Sequence, residues 1–236
     1  MSADGIWAVV PIKEFEGAKQ RLSPLLTPAQ RRELAAVMAE EVLEALAAVR
    51  ALAGIVVVTL DERARRLAQR VGARVLTDGA REGHTGAVLA AVRVLASEGR
   101  GGMITMPGDI PRITPDEVAA VLAAHRAAPA FTIVPAHDDR GSNAVVCSPP
   151  DAVPLRFGDD SFLPHLDAAR AQGIEPTVVR LPGIGMDIDH PADVEKFVRM
   201  LPRMQTRTLA LLAEFGVVER LGPSPDLIRG SRRDDG

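Results

Sequence analysis

The chain is 236 residues long and 47% hydrophobic, enough for one substantial core but cramped for two full domains. Its net charge of -3, pI near 6.0 and 3% aromatic content without a tyrosine argue against a nucleic-acid surface of basic patches and stacking platforms, so the expected partner is small. The single cysteine, Cys147, excludes an internal disulfide and a Cys-rich zinc site; with no leader-like start and no run approaching about eighteen apolar residues, the chain reads as cytoplasmic and not membrane-spanning.

Ile6 to Ile12 is an apolar run of strand length. After a basic stretch, Thr27-Pro28 opens a helix predicted to reach about Arg50, with Glu33 early and Leu34, Val37, Met38, Val42, Leu46 and Val49 at helical spacing. Gly54 to Leu60 reads as a second buried strand. A helix from Glu62 to about Val71 ends at Gly72, and a short strand, Arg74 to Thr77, precedes a helix from about Thr85 to Ser97. Met103 to Met106 is the next strand. Pro107-Gly108-Asp109 follows it, then a helix entered through Thr114-Pro115-Asp116-Glu117 and running to about Ala127. Strand alternating with helix means a parallel sheet.

The second half changes character. Phe131 to Ala136 and Ala144 to Cys147 read as strands around the polar turn from Asp138 to Asn143, a hairpin or an insertion that makes the sheet mixed. A helix from about Ser161 to Gln172, a strand from Thr177 to Leu181, an acidic loop and a helix from Pro191 to Met200 close the core. The expected fold is α/β, a Rossmann-like three-layer sandwich with a mostly parallel mixed sheet, in one domain over residues 1–200. Residues 201–236 are expected to add an amphipathic helix near Gln205 to Phe215 and a polar, disordered end with no catalytic role.

Ligands of open α/β sheets bind beyond the carboxyl ends of the strands, and here those ends are strongly polar. The first strand leads into Pro11-Ile12-Lys13 and then Ala18-Lys19-Gln20-Arg21-Leu22, a loop whose three cations suit a triphosphate and its departing pyrophosphate. The plainer alternative is a solvated basic loop. Neither a P-loop GxxxxGK[ST] nor a dinucleotide GxGxxG is present. Asp109 lies in Gly108-Asp109-Ile110-Pro111 at a strand tip, where it either binds a metal or caps the next helix. Asp187-Ile188-Asp189 places alternate carboxylates on one side of an extended segment. Hard oxygens of this kind suit Mg²⁺, with helix capping before Pro191 as the competing role for Asp189. Gly141-Ser142-Asn143 and the stretch from Arg156 through Gly158 to Ser161 offer hydroxyls and N–H groups for a small carboxylate, or merely a turn and a cap. His84, at a helix start, is a candidate nucleotide contact; His125 and His165 read as ordinary helix residues.

Taken together and in order, these motifs resemble the 2-phospho-L-lactate guanylyltransferase family over about residues 6 to 199. The resemblance implies a GT-A-like fold of the nucleotide-diphospho-sugar transferase type. It also implies transfer of GMP from GTP to phospholactate, phosphoenolpyruvate or 3-phosphoglycerate in coenzyme F420 biosynthesis. Under it, Asp109, Asp187 and Asp189 hold Mg²⁺; Lys13, Lys19 and Arg21 act catalytically on the nucleotide phosphates, with Pro11, His84 and Asp109 also touching nucleotide; and Ser142, Gly158 and Ser161 seat the acceptor. One departure is Val88-Leu89 where a Leu-Asn pair is expected, which bears on the choice of base. The resemblance is compatible with a monomer or a homodimer. Three competing readings are a nucleotidyltransferase for molybdopterin or a sugar phosphate, whose Gly-rich loop ending in Arg after the first strand is absent here; a metal-dependent glycosyltransferase, whose DxD usually lies mid-chain; and a non-catalytic nucleotide-binding protein.

Overall fold

In a computed structural model, which describes residues 5–199 and 206–221, the chain builds one seven-stranded sheet covered by helices on both faces. Strands β1 (Ile6–Pro11), β2 (Leu52–Val58), β3 (Arg74–Leu76) and β4 (Gly102–Thr105) alternate with α1 (Pro28–Ala47), α2 (Glu62–Arg70) and α3 (Gly83–Ser97). After α4 (Pro115–Ala124) come β5 (Ala130–Pro135), β6 (Ser142–Ser148), α5 (Phe162–Ala171), β7 (Thr177–Val178) and α6 (Pro191–Arg199). The spatial order is β3-β2-β1-β4-β6-β5-β7. Only β6 runs antiparallel to its neighbours, so the predicted hairpin is the insertion that makes the sheet mixed. The last strand is shorter than the sequence suggested: β7 pairs with β5 only through Thr177 and Val178.

Period-two alternation sorts the strand side chains into two cores. Ala8, Val10, Ile55, Val57 and Ile104 face α1, α2 and α4, whereas Trp7, Val9, Val56, Val58 and Met103 face α3 and α5. Gly54 is required by this arrangement, because a Cβ there would lie 2.4 Å from the Trp7 ring. Helix α1 starts as predicted: Thr27 accepts from the Gln30 N–H while Gln30 returns a side-chain acceptor to the Thr27 N–H. None of the described helices is long and apolar enough to cross a membrane.

The C-terminal segment is more integrated than the sequence implied. Helices α7 (Arg207–Glu214) and α8 (Val217–Leu221) place Leu212 and Val217 in a third apolar cluster with Leu22, Leu34, Met38, Ile188 and Phe197. On α1, the Glu41 carboxylate accepts from the Arg207 N–H and the Thr208 hydroxyl, both at 2.6 Å. Burial pushes the Glu41 carboxyl above its ordinary range despite those bonds. The cluster thus packs α7 and α8 against α1 and α6, next to the loops that carry Arg21 and Asp189. The end expected to be disordered beyond Phe215 is helical over Val217–Leu221, where Val217 is buried in the cluster; the rest of it, residues 222–236, lies outside the described residues, as do Met200 at the predicted end of α6 and Gln205 at the predicted start of α7.

Candidate active site

Strand order reverses at β1: the chain winds outward through β2 and β3, then returns to place β4 on the other side. Such a switch point leaves a crevice at the carboxyl ends, and a cleft of about 1540 Å³ opens there. Every site residue anticipated from the sequence lines it: Pro11, Lys13, Lys19, Arg21, His84, Asp109, Ser142, Gly158, Ser161, Asp187 and Asp189.

The basic loop is pinned at both ends by buried side chains. The Phe15 N–H donates to Asp61, which also caps α2, and Leu22 sits in the third cluster after a 3₁₀ turn over Gln20–Leu22. Between them Lys19 adopts the left-handed region, φ 52°, unusual for a residue with a side chain. Its ammonium lies 2.5 Å from Asp109 Oδ2 and 2.7 Å from Asp189 Oδ1, with the side chain only 8% exposed. Burial alone would lower the Lys19 pKa, but the two carboxylates outweigh it and the value is raised. The three cations therefore divide: Lys19 lies between the acidic loops, while Lys13 and Arg21 are exposed along the cleft. Arg21 Nη1 lies 3.3 Å from His190 Nε2.

Asp109 does not cap the following helix; Thr114 does, accepting from the Glu117 N–H. Asp109 Oδ1 is instead a buried oxygen with no hydrogen-bond partner among the described residues. Ile188 turns into the third cluster and its N–H donates to the Asp109 carbonyl, so Asp187 and Asp189 project to the other side, as the alternation predicted. Three polar side chains hold this loop. Glu117 accepts from the Gly183 and Ile184 N–H groups, both at 2.8 Å, instead of completing a capping box. Asn143 Nδ2 donates to the Ile184 carbonyl and to Asp187 Oδ1, each at 3.0 Å. Asp193 Oδ2 accepts from the Asp189 and His190 N–H groups. Gly183 has to be a glycine here, since a Cβ would lie 2.3 Å from the Arg112 carbonyl.

Charge in this region is unbalanced in a way that suits a cation. Burial pushes the Asp187 carboxyl up, and the negative charges of Asp109 and Asp189 add to the effect, with the Asn143 hydrogen bond opposing it. Burial would also raise Asp189, but its ammonium partner Lys19 brings it below the ordinary range. A partnerless carboxylate oxygen and three acidic side chains that feel one another fit a hard divalent ion. As the side chains stand, no group of three or more His, Cys, Asp or Glu among the described residues closes to metal-binding distance, and Lys19 lies between two of the three carboxylates.

Across the cleft, Ser142 begins β6 and Ser161 immediately precedes α5. Ser161 occupies a cap position without capping; its hydroxyl donates to Ser142 Oγ at 3.1 Å. His165 is not the ordinary helix residue that the sequence suggests. It is buried, its Nδ1 is 3.0 Å from Ser142 Oγ, and its Nε2 accepts from the Arg156 N–H at 3.1 Å. His125, by contrast, bridges Thr132 and Ser148 on the sheet and takes no part in the cleft. Thr85 exchanges hydrogen bonds with the Phe157 backbone, fixing the loop that carries Gly158. The Phe157 ring touches both His84, centroids 4.6 Å apart, and His165, 5.0 Å. Burial is the main cause that brings both histidines down to about 4, so each is neutral at pH 7. Val88 is fully buried and neither it nor Leu89 lines the cleft. Cys147 is buried and burial pushes its thiol up, consistent with inert packing.

Residues 6–223 match the family model described as Guanylyl transferase CofC like. The chain is 35% identical over 191 residues to the phosphoenolpyruvate guanylyltransferase of Rubrobacter xylanophilus, covering 81% of this chain and 92% of that protein. It is 33% identical over 187 residues to the 3-phospho-D-glycerate guanylyltransferase of Colwellia psychrerythraea, covering 79% and 88% respectively. In fold it is similar to a crystal structure from Desulfovibrio desulfuricans G20, provisionally named a nucleotide-diphospho-sugar transferase, with a TM-score of 0.74 at 19% identity over 93% of this chain and 98% of that one.

Proposed function

The chain belongs to the CofC-like guanylyl transferase family, and on that premise we propose that it moves GMP from GTP onto the phosphate of a small phosphorylated carboxylic acid. The acceptor is of the class of phosphoenolpyruvate, 3-phosphoglycerate and 2-phospholactate, with phosphoenolpyruvate favoured by the Rubrobacter relative. The observation that carries this reading is the convergence on one switch-point cleft of a basic loop, an acidic pair of loops and a facing pair of hydroxyls. Family membership sets aside the molybdopterin, sugar-phosphate and glycosyltransferase readings.

In the proposed reaction an acceptor phosphate oxygen attacks the α-phosphorus, the bond from that phosphorus to the bridging β-oxygen breaks, and pyrophosphate leaves with the electron pair. The nucleophile is already anionic at neutral pH, so no base has to remove a proton. Lys13 and Arg21, exposed on the cleft wall, neutralise the triphosphate and the leaving group. Ser142, Gly158 and Ser161 orient the acceptor opposite them. Asp109, Asp187 and Asp189 would hold Mg²⁺, which supplies charge neutralisation at the phosphates when bound. Lys19 sets the spacing of Asp109 and Asp189. The product fits the guanylated precursor of coenzyme F420 that the sequence resemblance implies. Pyrophosphate release tests the reading: GTP with Mg²⁺ and one of the three acids gives release, CTP, ATP and UTP give little, and silence with all three acids refutes it.

A further inference from the structure

Resting on that reading and going beyond it, we infer that His165 is a positioning residue that fixes the Ser142 hydroxyl as a hydrogen-bond donor to an anionic oxygen of the acceptor acid. The backbone N–H of Arg156 can only donate, so the His165 Nε2 that it meets at 3.1 Å presents a lone pair. A neutral imidazole then carries its one proton on Nδ1, which faces Ser142 Oγ at 3.0 Å. The imidazole is neutral at pH 7, as its depressed pKa of about 4 requires. The Ser161 hydroxyl donates to the same Ser142 oxygen at 3.1 Å.

Two incoming donors occupy both lone pairs of Ser142 Oγ, and its remaining capacity is its own proton. Ser142 and Ser161 both line the cleft and His165 lies buried behind them, so with its lone pairs taken Ser142 has its proton left to give to a ligand. A hydroxyl restricted in this way receives a carboxylate or phosphate oxygen and offers nothing to a group that only donates. The imidazole is held in plane by packing: Phe157 meets it at 65° with centroids 5.0 Å apart, and Phe131 backs it at 6.3 Å. Without the Nδ1 proton, the Ser142 hydroxyl is free to turn back on Ser161.

The test compares KM values for acceptor and GTP in the wild type and in His165→Phe, His165→Gln, His165→Asn and Ser142→Ala. Phe keeps the ring packing and removes both polar functions; Gln keeps an acceptor for the Arg156 N–H; Asn keeps a donor near the Nδ1 position. His165→Phe and His165→Gln are expected to raise the acceptor KM about tenfold or more while the GTP KM changes less than about twofold. His165→Asn recovers most of the loss, and adding His165→Phe to Ser142→Ala costs nothing further, since both act through one hydroxyl. Equal rises in both KM values, or additive losses in the double variant, overturn the inference. If His165→Phe does not fold, the contrast between Gln and Asn decides alone. A wild type silent with every acid refutes the proposed reaction; an active wild type with an unaffected His165→Gln refutes only the role of His165.

Discussion

Replacing Lys19 by Met removes a charge while keeping length and most of the volume, so its effect isolates the ammonium held between the acidic loops. The ammonium contacts Asp109 at 2.5 Å and Asp189 at 2.7 Å. Stripping the cation from a fully buried pair costs roughly 3 to 5 kcal/mol. Asp109 and Asp189 are 25% and 44% exposed, so water takes over part of that loss, and we expect about 1 to 2 kcal/mol. For a domain of this size that is a fall in Tm of about 3 to 6 °C. The two carboxylates left without a counter-charge should then draw a divalent ion more strongly than in the wild type. Thermal melts with and without millimolar Mg²⁺ or Mn²⁺ check both parts: the variant melts lower, and the ion restores it by more than it raises the wild type. An unchanged Tm, or a response to the ion no larger than that of the wild type, would refute the reasoning.

Acidification should destabilise the fold through its neutral histidines. His84 and His165 titrate near 4 in the folded chain, below their ordinary value of 6.5, so the unfolded chain binds more protons between those values. Their contribution is present above pH 6.5 and is lost as the pH falls through about 4, at roughly 1.4 kcal/mol per pH unit for each histidine. Urea melts at successive pH values should show His165→Phe flattening the decline by about one such slope. Gly183→Ala drives a Cβ toward the Arg112 carbonyl and Glu117, which cannot both yield. It should cost about 1 to 3 kcal/mol and lower kcat by displacing the loop that ends at Asp187, read by melts and steady-state rates. Thr208→Val leaves a Glu41 oxygen without its 2.6 Å donor and should cost about 1 to 3 kcal/mol, read as a shift in urea midpoint at constant slope.

The sheet was legible because its strands declare themselves by composition and its helices by caps; Thr27 and Thr114 are where the sequence put them. Local signals failed where tertiary contacts decide. Strand β7 is two residues long because Val179 pairs only through its N–H to Ile133 and the chain then leaves toward the acidic loop. The sequence offers α7 only as a peripheral helix and α8 not at all, since nothing local shows Leu212 and Val217 meeting Leu34 and Phe197. At the site, residues following strands were found by placement alone. Those that hold them were not: Glu117 read as a helix cap, Asn143 as part of a turn and His165 as a helix residue, and only the fold shows their far ends at Gly183, Asp187 and Ser142. The sequence places Lys19 on the phosphate-facing loop, and its contact with Asp109, ninety positions away, has no sequence signature.

The proposed transfer is tested most directly by following the α-phosphorus itself. GTP labelled at that atom is incubated with the enzyme, Mg²⁺ and phosphoenolpyruvate, 3-phosphoglycerate or 2-phospholactate in turn, and the products are separated. With one acid the label is expected to move into a guanylated acid, matched mole for mole by pyrophosphate, and Asp109→Asn is expected to abolish the transfer. Label recovered as free GMP, or remaining in GTP with all three acids, would contradict it.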